Sequence, residues 1–430
     1  MRVQNQNTIN MNKTNLITDK VGLAHKFPHP AIFMFLVLPF GITSGYVTVT
    51  LAYLFSRAGI PVEEVAALVA ASVLPHVLKF LWAPLVDTTL SVKKWYLISC
   101  VVSAAGIIAS GVMPVTQASI PLLTIIVFLG NVAVSFVGMA TNSLAAHDTP
   151  EEMKGRASGY LQAGNLGGSG LGGGAGLWLA QNVSQNWMPA AILAFACLAC
   201  CIGLFYVKEP LATVKAESVV KTFKNLFSDI WITLKSKLGF LAVILCFLPL
   251  GTGAASNLWS AVAGDWNASA DTVAFVTGVM SGIITAVGCL IGGWICDRMD
   301  RKIAYIIFGL LQVICAVVMA FAPHTEIMYA ILTSFYAITI GLSYAGFSAF
   351  VFEAIGKGAA ATKFTLYASL SNFPIYYMTI VNGWSHTHYG PEGMLNIEAA
   401  FGMAGIILFF ILAAFINKNK AVVINQQHNN

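Results

Sequence analysis

Apolar residues run through this chain in long blocks separated by short polar punctuation. A helix needs about 20 mostly apolar residues to cross a bilayer. Twelve blocks have that character: 31–56, 64–85, 95–113, 120–146, 157–180, 187–207, 239–261, 272–295, 303–322, 327–352, 360–383 and 395–416. Hydrocarbon offers no water to bond backbone N–H and C=O groups, so each block is expected to be a helix. The fourth turns polar at its end, from Asn142 to His147. The predicted organisation is a polar tail over 1–30, six spans over 31–207, a polar linker over 208–237, six spans over 238–416 and a tail over 417–430. Val220, Phe223, Leu226, Phe227, Ile230 and Leu234 recur at three- and four-residue steps in the linker. They predict an amphipathic helix over 219–234 lying on the membrane surface.

Composition agrees with this pattern. The 430 residues are 57% hydrophobic and 10% charged, whereas a soluble domain carries about 25% charged residues. The net charge of +5 forms no basic stripe with interleaved aromatics, so nucleic acid is not an expected partner. Its placement instead orients the chain, because lysine and arginine collect in cytoplasmic loops. With both termini inside, 21 of the 23 basic residues fall on the inner side, Arg57 falls outside, and Lys79 remains within the second span. The first 29 residues lack the apolar core and cleavage site of a signal peptide. Of the eight cysteines, seven lie inside apolar runs and Cys296 ends one. Cys197, Cys200 and Cys201 are read as small apolar packing groups. No metal, cofactor or catalytic motif is found in the sequence, and an enzyme is not expected.

The loop after the eighth span reads Gly293-Trp294-Ile295-Cys296-Asp297-Arg298-Met299-Asp300-Arg301-Lys302. It resembles the G-x-x-x-D-R-x-G-R-R/K signature of the major facilitator superfamily, departing at Asp300, where the family usually has Gly. Ala83 and Asp87 repeat the spacing of Gly293 and Asp297, 210 residues earlier. The resemblance covers the chain and implies an all-α membrane fold of twelve helices in two pseudo-symmetric six-helix bundles. Asp87, Asp297, Arg298 and Arg301, charges at helix ends on the inner face, are read as a gate that pairs with the neighbouring bundle, with fixing the topology alone as the alternative. Lys79 to Asp87 and Ala361 to Leu366 resemble a narrower branch, the peptide and acetyl-coenzyme A transporters, which includes bacterial muropeptide permeases. Lys363 stands where that branch often has Gln, and Glu152 to Ala157 fits its inner loop with the order Gly155-Arg156.

Ionisable groups inside a membrane are costly and carry functional hypotheses. Lys79 lies eight residues before Asp87, about 12 Å deeper at 1.5 Å per residue. It either binds an anionic substrate group or snorkels to the headgroups. His76, Asp148 and Glu353 are candidates for a coupling proton, or ordinary helix-end and core residues. Tyr46, Asn131, Gln162, Asn165, Asn257, Trp259, Tyr344 and Asn372, beside Pro374, are candidate pocket residues; helix–helix hydrogen bonding is the alternative for each. Gly164, Gly168, Gly172 and Gly176 repeat every four residues and predict close packing of the fifth span against a neighbour. The G-x-G-x-x-G at Gly168, Gly170 and Gly173 has no preceding strand and is read as accidental. The expected protein is a secondary transporter of a small anionic or amphipathic solute, driven by protons and monomeric, in a bacterial inner membrane. A receptor or scaffold of the same fold is the rival reading.

Overall fold

In a computed structural model, the described residues are 17–18, 24–25, 28–150, 153–185, 187–209, 224, 228, 231, 235, 237–355 and 366–428, with some side chains left out, those of Asp87 and Glu353 among them. The predicted helix over 219–234 and the start of the eleventh span therefore lie largely outside the described residues. Helices dominate; the tail adds a two-residue antiparallel pair, Ile17–Thr18 with Ala24–His25. Among the described residues, nine helices are long and apolar enough to cross a membrane. The last of these, Leu366–Leu412, is two helices folded at Gly390, where φ is 71°, followed by Pro391. Two further passes, 154–182 and 237–266, are diluted by glycine or interrupted.

The passes are labelled α1 (Ala31–Arg57), α2 (Val62–Thr88), α3 (Val92–Val112), α4 (Ile120–His147), α5 (154–182), α6 (Met188–Phe205), α7 (237–266), α8 (Ala270–Cys296), α9 (Arg301–Phe321), α10 (Glu326–Ile355), α11 (366–389) and α12 (391–428). The first six pack together, as do the last six, and α2 with α11 and α5 with α8 join the halves. Large apolar side chains such as Phe195, Leu290 and Phe321 face outward, where hydrocarbon replaces water. Trp178, Trp187 and Trp294 are also exposed, near helix ends, where an indole spans the apolar–polar boundary.

The glycine row of α5 lies against α1. A Cβ added at Gly168 would sit 2.5 Å from the Leu38 carbonyl, and Gly164 and Gly172 press equally on Met34 and Ile42. That closeness explains the four-residue spacing. Thr50 on α1 donates to the Gly172 carbonyl at 2.9 Å. Widened π-helical turns occur at Tyr46–Leu51 in α1, Leu171–Ala175 in α5 and Val273–Met280 in α8. These three turns touch one another. Such turns often mark functional positions in helices.

The seventh pass departs from the continuous helix expected over 239–261. Its first segment is Lys237–Leu245, its second resumes as a tight turn at Ala254–Leu258, and the chain between them is unwound. Pro249 interrupts the ladder, and Gly251 and Gly253 take φ of 63° and 65°, a region that favours glycine. Unwinding frees carbonyls that hydrocarbon cannot satisfy. Four tyrosines supply donors along this pass: Tyr305 to the Leu250 carbonyl at 2.8 Å, Tyr329 to Trp259 at 2.9 Å, Tyr377 to Phe247 at 3.0 Å and Tyr367 to Gly239 at 3.2 Å. The break is thus held in place by α9, α10 and α11.

Candidate functional site

The two halves touch most closely at the end of the molecule away from the basic motif loop. There the Ser56 hydroxyl donates to the Ala261 carbonyl, and the Glu63 backbone N–H donates to Thr387 Oγ1 at 3.1 Å. Gly383 on α11 packs onto Ala66 on α2. A Cβ at Gly278 on α8 would lie 2.5 Å from Gly174 Cα on α5. Among the described residues, the two hydrogen bonds between the halves are both on this face.

Farther along the same helices lie several of the sequence candidates. From the Ala66–Gly383 contact, thirteen residues onward along α2 is Lys79, and thirteen back along α11 is Leu370. Lys79 and Asn372 therefore stand at similar depth in antiparallel helices. Lys79 is half-buried, and no carboxylate among the described residues pairs with it. His76, one turn before it, interacts electrostatically with Lys79 and sits beside Asn131. Its ring lies 4.9 Å from that of Phe40. Both His76 Nδ1 and Asn131 Oδ1 are buried without a hydrogen-bond partner. Gln162 is exposed on the side of α5 where, one turn on, Leu166 meets Gly282 of α8. Tyr344 is 47% exposed although it lies deep in the protein, so its ring faces open space between helices. It lines a small open pocket within the C-terminal bundle with Tyr305, Phe347, Ser371 and Pro374. Asn372 donates to the Ala368 carbonyl at 2.7 Å, occupying its amide with the turn that precedes Pro374.

Other sequence candidates sit within one bundle. Tyr46 and Asn131 line a small space with Thr43 and Ser103, between α1, α3 and α4. Asn165 lies beside Gly41, against which its carbonyl packs. Asn257 donates to Thr379 at 3.1 Å. Trp259 is 3% exposed, edge-on to Tyr336 at 5.2 Å. Asp148 is buried and accepts from the Lys208 backbone N–H at 3.0 Å, tying the end of α4 to the end of α6. In the motif loop, Arg298 stacks on Trp294 at 3.9 Å and donates to its carbonyl at 3.1 Å. Asp300 explains its departure from glycine: it caps α9, accepting from the N–H groups of Lys302 at 2.9 Å and Ile303 at 3.1 Å. Asp297 is exposed beyond the end of α8.

Sequence reasoning missed one buried acid. Glu398 on α12 is 7% exposed and bonded to Tyr336 and Asn382. The predicted span began at 395, which makes an acid at 398 look like a helix end. The helix in fact resumes at 391, placing Glu398 two turns inside it.

Two helical bundles joined along α2 with α11 and α5 with α8 define a multi-pass membrane fold of the transporter class. The chain belongs to the Major Facilitator Superfamily, whose family profile matches residues 32–376. It is a multi-pass membrane protein and a secondary transporter by family. The anhydromuropeptide permease of Escherichia coli K12 is 24% identical over 360 residues, covering 78% of this chain and 70% of that protein. Among solved structures, a D-xylose-proton symporter superposes with a TM-score of 0.68 at 15% identity, covering 89% of this chain and 96% of that one. The nucleoside transporter NupG gives 0.68 at 14% identity, covering 89% and 98%. The inward-open xylose transporter XylE from E. coli gives 0.66 at 13% identity, covering 89% and 94%. These likenesses establish the fold.

Proposed function

We propose that the chain is a proton-driven carrier of an anionic, amphipathic solute of the muropeptide kind, in a bacterial inner membrane with both termini cytoplasmic. Lys79 carries the reading: a half-buried cation within the second membrane span, without a carboxylate partner among the described residues. A cation left unpaired at that depth is costly, and an anionic substrate group would relieve the cost. Gln162, Tyr344 and Asn372 add polar contacts from three other helices. The relative named an anhydromuropeptide permease supports that solute class. His76, Asp148 and Glu353 remain candidate proton carriers, and Asp87, Asp297, Arg298 and Arg301 the gate on the motif face.

The test is uptake of an anhydromuropeptide into proteoliposomes under an imposed proton gradient. Lys79→Ala removes a charge-assisted contact worth about 1.5–3 kcal/mol, so uptake falls at least about tenfold, and Lys79→Arg retains part of it. Uptake by Lys79→Ala at the parent rate sinks the assignment of Lys79.

A further inference from the structure

In the C-terminal bundle a carboxylate sits away from any described basic side chain. Glu398 accepts from Tyr336 OH on α10 at 2.9 Å and from Asn382 Nδ2 on α11 at 2.7 Å, and the backbone N–H of Ala255, where α7 resumes, lies beside it. It borders a small pocket with Pro249, Gly251, Thr252 and Gln312, beside the break in α7. The titratable groups facing this cluster are Tyr336 on α10 and Tyr377 on α11, with Cys315 on α9 beyond Tyr336. Among the described residues α7 adds none, and α12 only Glu398 itself.

All three partners present a hydrogen to the carboxylate. A metal cation needs oxygen lone pairs turned toward it, so this shell has the wrong polarity for sodium. It suits a carboxylate that gives up and regains a proton. One further atom completes the arrangement. Asn382 Oδ1 is buried and has no hydrogen-bond partner. An amide carries a donor and an acceptor on opposite sides of one rotatable group.

We propose that Glu398 is a reversible proton-binding site, with the Asn382 amide as the group that changes role. When the carboxylate takes a proton from water, an O–H bond forms and the negative charge is lost. The new O–H requires an acceptor, and a half-turn of the Asn382 amide offers Oδ1 in place of Nδ2. The neutral acid also holds the Ala255 N–H less strongly, because hydrogen bonds to charged groups are the stronger ones. Ala255 lies in the tight turn Ala254–Leu258, which ends three residues before Ala261, whose carbonyl is bonded to Ser56 across the closed face. Protonation at Glu398 therefore acts on the strut that meets the N-terminal half.

This inference deepens the proton-driven reading, and its test separates the two. Full-length protein in lipid nanodiscs is titrated with infrared detection of the protonated-carboxyl stretch, with no solute added. The other carboxyls protonate in both proteins, so the signal is the parent-minus-Glu398→Gln difference, expected to be one carboxyl band that grows as pH falls, with the parent melting profile kept. No titrating difference band overturns the proposal. Should Glu398→Gln fail to fold, Asn382→Leu answers instead. Its midpoint moves by about tenfold in proton concentration, and an unmoved midpoint overturns the proposal. In proteoliposomes, Glu398→Gln is expected to exchange an anhydromuropeptide between the two sides yet lose accumulation driven by the proton gradient. Retained gradient-driven accumulation overturns the site and leaves proton-driven transport standing. A parent that ignores the gradient removes the proton-driven reading, while the infrared titration still decides the site.

Discussion

The contact between α5 and α8 is tight enough for one methyl group to test alternating access. A Cβ at Gly278 would lie 2.5 Å from both Gly174 Cα and Gly174 N, whereas carbon atoms pack at about 3.5–4.0 Å. Gly278→Ala therefore requires the two backbones to separate by about 1 Å. Overpacking of this kind costs about 1–3 kcal/mol. The cost falls on the state in which this face is closed and is relieved when it opens. The open state gains population by about 5- to 150-fold. A cysteine placed at Ala261, 2% exposed at the closed face, reports the change through its reaction rate with a membrane-impermeant maleimide. The same cysteine is present in both backgrounds, so its own effect cancels in the comparison. Gly167→Ala is the control: no atom lies within 4 Å of its added Cβ, and the rate should stay within roughly twofold. An unchanged rate in a folded Gly278→Ala protein refutes the idea that this face opens by parting α5 from α8.

Other outcomes follow from the local geometry. Glu209→Ala removes the carboxylate that accepts from the N–H groups of Val92 at 2.7 Å and Lys93 at 3.1 Å; the loss of about 0.5–2 kcal/mol should lower the melting temperature, with Glu209→Gln less affected. Asp300→Ala uncaps α9 and should cost about 1 kcal/mol, whereas Asp300→Asn should melt near the parent. Tyr305→Phe leaves the Leu250 carbonyl of the broken α7 without its tyrosine donor and should destabilise by about 1–3 kcal/mol, measured by thermal unfolding in detergent. Reporter fusions at Lys94 and Lys215 should appear on one side of the membrane; opposite sides would refute the twelve-pass topology.

The long passes were legible because crossing hydrocarbon demands length and apolarity together, and both are countable. The packing of α5 was legible too, because only close backbone approach makes four-residue glycine spacing useful. The break in α7 was hidden by the same hydropathy that revealed the pass: Leu248, Leu250 and Ala254 keep the window apolar. Pro249, Gly251 and Gly253 were the available signal. The pocket candidates were readable as polar residues at depth, but a helix carries such residues on every face. Tyr46 and Trp259 are buried within their own bundles, while Lys79 and Tyr344 keep part of their surface open, and only the packing decides which.

The two bundles solve the polar problem differently, and the difference suggests a division of labour. The N-terminal half keeps its helices unbroken, with π-helical turns in α1 and α5, and leaves Lys79 without a described carboxylate partner. The C-terminal half unwinds α7 and answers its carbonyls with tyrosines. That exposes the Ala255 N–H, which α12 meets with an acid rather than a neutral side chain. A neutral acceptor such as glutamine would satisfy the same N–H, so satisfaction alone does not call for charge. On this reading the first half meets the solute's charge and the second meets the proton. The two meet through Ser56 and Ala261, where the closed face is bonded. The Lys79→Ala and Glu398→Gln variants should then fail in different ways: the first in solute exchange itself, the second only in accumulation against a gradient. If both variants lose exchange equally, the separation of the two roles is wrong, even with the transporter assignment intact.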